Sequence, residues 1–550
     1  MRLTQRLVDK SKERLLRPSV MRWVTDDRVM KATEGLMDAR MRVKAAWELL
    51  LNGHSLPAVD PALDEALGKR IDARSAVNGK KNGSPIDVSG DGELGHANGG
   101  VTNGKNGATL TNGSGAVHLN GKGAFAARPL HGAEDMDESL KERTSLAGIG
   151  GKDVLEKCRK FMAADNARKR GIYPFFRPLD LNDGPEAVIN GRRVVMFGSN
   201  NYLGLTTHPK VREAAKAAID RFGTSMTGSR LVNGSMKLHE EFEEKLAHWF
   251  GKESALIFTT GYQVNLALCA ALLSNKQSVA VLDRNVHASL YDGARLGQSA
   301  GATLVRYRHN DAESLDKVLE KLSEGEGALV ITDGVFSAEG EIARLDELVP
   351  VVKKHGARLF VDDAHALGVI GPGGRGTAHS FGVSDQVDLI GGTFSKSMAS
   401  IGGWLVGERK VLDYIRHFAP SFMFAAAAAP PCVAAAMAAF DVMQEENWRI
   451  DKLRENFTYM RDELTKMGFE LGHTQTAVIP IFVRQDLRTI MMWRDLLEEH
   501  GIYTNPFITP GVPPKSAMLR TSYMATHDRA HLDRGLEAFR AVGKKYGVIS

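Results

Sequence analysis

Residues 387–403 read Val-Asp-Leu-Ile-Gly-Gly-Thr-Phe-Ser-Lys-Ser-Met-Ala-Ser-Ile-Gly-Gly. An apolar, strand-like run ends in Gly391, and Lys396 follows five residues later. Hydroxyls at Thr393 and Ser395 stand beside the lysine, in a position to hold an anion. Gly391, Gly392, Gly402 and Gly403 surround it with small residues. A lysine becomes a nucleophile toward a carbonyl group when its ammonium loses a proton. A single lysine is more often a surface charge, so its reading depends on the rest of the chain.

Working outward, strand-like runs recur at Ala255–Thr259, Val279–Leu282, Ala328–Thr332, Arg358–Val361 and Leu389–Gly391. Helical stretches such as Lys237–Phe250 and Ala312–Ser323 lie between them. Strands alternating with helices predict an α/β fold with a mainly parallel sheet. A ligand then sits at the carboxyl ends of the strands.

Four further elements occupy such ends. Phe360-Val361-Asp362-Asp363-Ala364-His365 places a carboxylate directly after a buried strand, with a histidine three residues on. Thr259-Thr260-Gly261-Tyr262 is a strand–glycine–helix turn, whose free N–H groups suit a phosphate. Asp283 to Ser289 carries His287, which could stack on a planar ring. Leu519-Arg520-Thr521-Ser522 brings an arginine out of an apolar strand, as a fork for a carboxylate. Each has an ordinary alternative: a helix cap, a common turn, a structural histidine, a salt bridge. Their order is more specific, because each suits one part of an amino acid joined to pyridoxal phosphate (PLP). That cofactor needs a carboxylate at its pyridine nitrogen to act as electron sink.

From about residue 160 onward the chain resembles the α-oxoamine synthase family of PLP-dependent enzymes. The resemblance rests on Asn201-Tyr202-Leu203-Gly204, Thr227 to Gly234, His287-Ala288-Ser289, Asp333 to Ser337, Asp362 to His365 and Gly392 to Ser397. Gly392–Gly403, Met491-Met492-Trp493 and Val542–Ile549 resemble the bacterial serine palmitoyltransferase branch more than the amino-oxononanoate synthase branch. The resemblance implies that Lys396 forms a Schiff base with PLP and later moves the α-proton. It implies that Asp362 pairs with the pyridine nitrogen, His365 contacts the ring oxygen and His287 stacks on the ring. Gly261, Tyr262, Thr393 and Ser395 would line the phosphate side. Arg520 would bind the substrate carboxylate, with Asn201 near the substrate. The implied reaction condenses an amino acid, serine first, with a long-chain acyl thioester such as palmitoyl-CoA, releasing the thiol and CO2. Glycine or alanine, or a carrier-bound acyl group, are the alternatives. A catalytically dead regulatory subunit is disfavoured, because such relatives lack the Schiff-base lysine and Lys396 is present. The family works as a homodimer. It usually places a Ser or Thr after a Phe-Ile/Met-Phe segment to reach the partner's phosphate. Here Phe422-Met423-Phe424 is followed by Ala425–Ala429, so that hydroxyl is missing.

The expected architecture is therefore a fold type I, aminotransferase-like α/β core with a smaller α+β C-terminal domain and a helical N-terminal extension. The expected boundaries are 1–73 (helical extension), 74–144 (linker), 145–205 (first segment of the core), 206–455 (PLP-binding domain) and 456–550 (small domain). Residues 78–123 hold thirteen glycines and seven Asn-Gly pairs without Phe, Tyr, Trp, Met or Cys. Such a stretch buries too little apolar surface to offset the entropy of ordering. Residues 1–50 hold twelve Lys/Arg against seven Asp/Glu, a charge that leaves contact with an anionic membrane surface or an acyl carrier open beside a plain solvated helix.

Composition bounds the rest. With 550 residues, 43% hydrophobic and 25% charged, the chain is globular. A net charge of +5 argues against a dedicated nucleic-acid binder. Cys158, Cys269 and Cys432 make no CxxC pair, so neither a disulfide framework nor a structural metal site is expected. The start of the chain lacks the apolar stretch of a secretory signal. No run of about 18 apolar residues predicts a membrane span. These features suggest a cytoplasmic protein, with peripheral contact at the inner face of the membrane left open. Phe422–Phe440, broken by Pro430 and Pro431, is read as buried loop and helix.

Overall fold

The structure, a computed structural model, describes residues 152–550. The extension expected at 1–73 and the linker expected at 74–144 lie outside the described residues. Residues 152–160 include the short helix Glu156–Arg159 and belong to a separate unit from Phe161–Ser550.

In chain order the strands are β1 (Leu181–Asp183), β2 (Glu186–Ile189), β3 (Arg192–Met196), β4 (Ser254–Phe258), β5 (Ser278–Asp283), β6 (Thr303–Tyr307), β7 (Gly327–Asp333), β8 (Arg358–Asp362), β9 (Leu389–Thr393), β10 (Gly403–Gly407), β11 (Val478–Phe482), β12 (Ile502–Tyr503), β13 (Asn505–Phe507) and β14 (Met518–Ser522). Seven of them form one sheet in the order β4-β10-β9-β8-β7-β5-β6. The pairs from β9 to β6 are parallel, while β10 is antiparallel to both β4 and β9. Every residue of β5 is buried, as expected of a parallel strand covered on both faces. The five strands expected from the sequence are all present; β4 is shifted by one residue, ending at Phe258 rather than Thr259, and the other four are longer by one or two residues.

Register matters most for the site. Asp333 pairs with Asp362, and Asp362 pairs with Gly391. β7, β8 and β9 therefore finish side by side, and residues 333, 362 and 393–396 meet along one edge although the chain separates them widely.

Helix Lys237–Phe250 forms as expected. Leu238, Phe242, Leu246 and Phe250 share its buried face at a spacing of four, and Gly251 closes it with a left-handed cap at φ 63°. Helix Ala312–Leu319 is shorter than the expected Ala312–Ser323, because the chain turns at Lys321 and Leu322 back toward β7. The glycines around Lys396 have a packing cause. A Cβ at Gly392 would lie 3.0 Å from the fully buried Trp404 ring, and one at Gly403 would lie 2.8 Å from Gly261 Cα. The stretch Phe422–Phe440 divides into helix Pro420–Met423, a loop, and helix Pro430–Glu445. The expectation of burial fails at Phe424, which is 75% exposed; the second helix is largely buried and packs on Pro209–Phe222.

Two smaller sheets complete Phe161–Ser550. One has the order β1-β2-β3-β12, and the other β11-β14-β13. Parallel pairing of Val195 with Ile502 ties the segment before the large sheet to the C-terminal part. Ser522 N donates to Phe197 O and Ala525 N to Tyr202 O, which brings β14 and its Arg520 beside residues 197–202. Among the described residues no helix is long and apolar enough to cross a membrane, and no His/Cys/Asp/Glu group could hold a metal ion.

Candidate active site

Asp362 ends β8 and is 7% exposed. Its Oδ2 accepts a 2.7 Å hydrogen bond from Asn265 Nδ2, and its Oδ1 accepts from Ala364 N at 3.0 Å. Asn265 Nδ2 also donates to Ser289 Oγ at 2.8 Å, and Ser289 Oγ lies 2.7 Å from His287 Nδ1. A continuous chain, Asp362–Asn265–Ser289–His287, thus fixes both the carboxylate and the imidazole. His287 N donates to Asp333 Oδ1 at 3.3 Å. Loss of water around the His287 ring lowers its pKa despite the nearby Asp362 carboxylate, and the Lys396 charge lowers it further. Burial and the neighbouring Asp362 push the Asp333 carboxyl well above the usual carboxylate range.

Lys396 follows β9. Desolvation lowers its pKa to about 8, with Asp362 and Asp333 opposing the shift and Arg520 adding to it. The charges of Lys396 and Arg520 also depress His365, after burial, well below its ordinary value. Lys396, Asp362, His365, His287 and Arg520 therefore converge. His365 Nδ1 lies 2.6 Å from the hydroxyl of Tyr202, a fully buried residue.

Thr260 caps the helix Gly261–Leu272. Gln263 N bonds to its side chain and Val264 N to its carbonyl. The N–H groups of Gly261 and Tyr262 have no partner among the described residues, as helix starts require unless a ligand supplies one. A Cβ on Gly261 would lie 2.6 Å from Thr393 Cβ. Thr393 Oγ1 and Ser395 Oγ are 2.8 Å apart. The helix start and this hydroxyl pair present donors that suit a phosphate. The Tyr262 ring meets His287 edge-on at 6.3 Å, and its hydroxyl bonds to Asp292.

Arg520 is 3% exposed. Its Nε donates to Ser337 O at 2.7 Å, and its Nη1 to Asn200 Oδ1 at 3.0 Å and Ser522 Oγ at 2.7 Å. Its Nη2 is buried without a partner among the described residues. A buried guanidinium nitrogen left open is costly unless a ligand completes it.

The structure shows how the amide of Asn201 is engaged. Asn201 Nδ2 donates to Thr206 Oγ1 at 2.8 Å, and its Oδ1 accepts from Leu205 N at 3.0 Å. Both ends of its amide are committed to its own loop, and the adjacent Asn200 reaches Arg520 instead. Sequence reasoning also passed over Asn265, Asp333 and Ser289 as individual site residues. Asn265 left a readable trace: a lone carboxamide within the apolar run Val264–Leu268 needs a buried partner.

The residues present fit PLP. There is a half-buried lysine of lowered pKa, a carboxylate held by an amide, an open helix start with two hydroxyls, and an unfilled guanidinium.

Comparison with known proteins agrees. The family profile described as aminotransferase class I and II matches residues 192–539. The serine palmitoyltransferase of Sphingobacterium spiritivorum is 40% identical over 397 residues, covering 72% of this chain and 98% of that protein. An 8-amino-7-oxononanoate synthase of Thermoanaerobacter pseudethanolicus is 36% identical over 386 residues, covering 70% and 96%. The solved structure of Sphingomonas wittichii serine palmitoyltransferase superposes with a TM-score of 0.69 at 36% identity, covering 72% of this chain and all of that one. A solved serine palmitoyltransferase holding PLP gives the same TM-score at 35% identity, with the same coverage. PLP is accordingly the cofactor, and the chain belongs to the α-oxoamine synthase family of PLP-dependent acyltransferases.

Proposed function

We propose that this enzyme joins L-serine to a long-chain acyl thioester, palmitoyl-CoA. The serine α-carbon bonds to the acyl carbonyl carbon, the thiol leaves, and the serine carboxylate departs as CO2, giving a 3-ketosphinganine-type product. The observation that carries the reading is the meeting of Lys396, Asp362 and the open Nη2 of Arg520 at one edge of the sheet. Relatives named serine palmitoyltransferase support the choice of serine at 39–42% identity, against 36–38% for three oxononanoate synthases. Glycine or alanine as the amino acid, or a carrier-bound acyl group, is the second reading, favoured by the likeness to those synthases.

When bound, PLP supplies an electrophilic carbonyl and a ring that accepts the electrons of the bond broken at the α-carbon. The chain does the rest. Lys396 Nζ, whose lowered pKa of about 8 leaves a minor neutral fraction near neutrality, holds the cofactor and moves the α-proton. Asp362 keeps the ring nitrogen protonated, with its Oδ2 fixed by Asn265. His287 would lie against the ring, and His365 with Tyr202 would address the ring oxygen. Gly261, Tyr262, Thr393 and Ser395 hold the phosphate. Arg520 closes its fork on the substrate carboxylate, with Asn200 steadying Nη1. Residues 206–455 form the PLP-binding domain and 456–550 the small domain.

A homodimer accompanies this reading. Val232 is 78% exposed and Phe424 75% exposed, on loops joined by the Ser229–Ala426 bridge. Such an apolar surface suits a second copy of the chain. Residues 1–144 would serve docking to a membrane or carrier. Truncation to residue 145 tests that: association should be lost while turnover with soluble acyl-CoA stays unchanged.

The substrate is tested by visible-absorbance titration of the PLP-loaded enzyme with L-serine, glycine and L-alanine. A saturable change with L-serine alone supports the proposal. A preference for glycine or alanine rejects serine and keeps the family.

Two further outcomes are expected. Gly261→Ala should weaken PLP binding by about ten-fold or more, because the new methyl displaces Thr393 and the helix start; equilibrium dialysis of the apoprotein measures this. The rate of PLP capture by apoprotein should rise with pH and level off above about 8, since the neutral amine of Lys396 is the reactive form. A rise continuing toward pH 10 would show an unshifted lysine.

A further inference from the structure

The carbonyl that orients Arg520 belongs to a turn held from two sides. Ser337 O accepts from Arg520 Nε at 2.7 Å. The turn around it is closed by Phe336 N to Glu341 O and Gly340 N to Phe336 O, each 2.9 Å, and by the Val335–Ile342 bridge. On one side Gly340 O accepts from Thr476 Oγ1 at 3.0 Å and from Gln475 N at 3.1 Å.

On the other side stands His309. Its Nδ1 is hydrogen-bonded to Asp283 Oδ1 at 3.0 Å, while its Nε2 makes no hydrogen bond and lies 3.4 Å from Glu341 Oε2, an ion-pair distance. Its ring meets the fully buried Phe336 edge-on, with centroids 4.3 Å apart. Asp283 is itself completely buried and accepts from Asn285 N and Asn310 N. Asn285 Nδ2 donates to Glu339 Oε1, and Asn310 Nδ2 to Ile342 O, both at 3.0 Å. The imidazolium holds Asp283 through a hydrogen bond and draws Glu341 by charge across 3.4 Å, so the cation is the form that engages both carboxylates. The surroundings supply that cation: burial lowers the His309 pKa, but Asp283 and Glu341 overcome it and raise it to about 10.

We propose that His309 is a positioning residue for amino-acid binding: by tying Asp283 to Glu341 and bracing Phe336, it fixes the turn whose Ser337 carbonyl orients Arg520. His309 does not touch the substrate; it acts through Ser337 and Arg520. The inference rests on Arg520 being the carboxylate partner.

The test uses PLP-loaded enzyme and whichever of L-serine, glycine and L-alanine gives the wild-type spectral change, since all three carry the carboxylate. His309→Asn should raise the amino-acid Kd by about ten-fold, in the range for a loosened hydrogen bond to a charged group. Turnover at saturation and PLP affinity should stay within about two-fold, because only binding is weakened. Glu341→Gln, which leaves the His309–Asp283 pair in place, should raise the Kd in the same way and covers the case in which His309→Asn fails to fold. Arg520→Lys separates the two layers. If it leaves the Kd unchanged, the reading of Arg520 falls, and this inference with it. If it raises the Kd while His309→Asn and Glu341→Gln do not, the reading of Arg520 stands and the inference falls. Parallel loss of turnover, PLP affinity and amino-acid affinity in both turn variants would mark a merely structural role and overturn it.

Discussion

Lys396→Ala is expected to lower turnover by on the order of 10⁴-fold or more, the largest effect of any single substitution in this protein. Two losses combine. The amine that holds the cofactor covalently is gone, so borohydride no longer fixes PLP to the chain. The base that takes the α-proton is gone as well. The local setting explains why nothing nearby replaces it. His287 and His365, the other candidate bases, have lowered pKa values, and their Nδ1 atoms are engaged by Ser289 and Tyr202. Desolvation already brings the lysine to about 8, so a minor but usable neutral fraction exists near neutrality. The check is single-turnover kinetics with mass analysis after borohydride. Retention of full activity would sink the proposed chemistry.

Asp362→Asn is expected to reduce kcat by about 10³-fold with little loss of thermal stability. The asparagine can present its oxygen where Oδ2 now accepts from Asn265, so that hydrogen bond survives and only the one from Ala364 N to Oδ1 is lost. What disappears is the negative charge. Asp333 cannot supply it. It pairs in register with Asp362, and its burial still disfavours the charged form once the neighbouring carboxylate is gone. Without an anion at the ring nitrogen the electron sink is weak. A Tm close to wild type together with the fall in kcat identifies an electrostatic cause. Activity within ten-fold of wild type would remove Asp362 from its assigned place. Asn265→Leu should act in the same direction by a smaller factor, since it frees the carboxylate without neutralising it.

The chain stated its secondary structure openly. The Val-, Ile- and Leu-rich runs that become β4, β5, β7, β8 and β9 are continuous and short. Helix Lys237–Phe250 carries its apolar face at a spacing of four. Such patterns arise from local sterics and burial, so they are readable over a window of ten residues or so. The positions of Lys396, Asp362, His287 and Gly261 just after strands, or at a helix start, follow from the same patterns. Less was visible where one side chain chooses another. Nothing near residue 201 reveals that its amide turns back on its own loop while Asn200 crosses 320 residues to Arg520. The glycines beside Lys396 look like room for chemistry, yet Gly392 and Gly403 make space for Trp404 and for the start of the Gly261 helix.

The sequence by itself therefore determined which reactive groups the protein owns, their order, and their placement at the ends of strands. Those depend on covalent order and local periodicity. Only the tertiary structure decided which groups act together. Sheet order set Asp333 against Asp362, helix packing brought Asn265 to Asp362, and β14 delivered Arg520 to Ser337 and Asn200. Each of these partnerships joins residues tens to hundreds of positions apart. It is fixed by strand register and by the need of buried polar groups to be satisfied, conditions that exist only once the whole domain has closed.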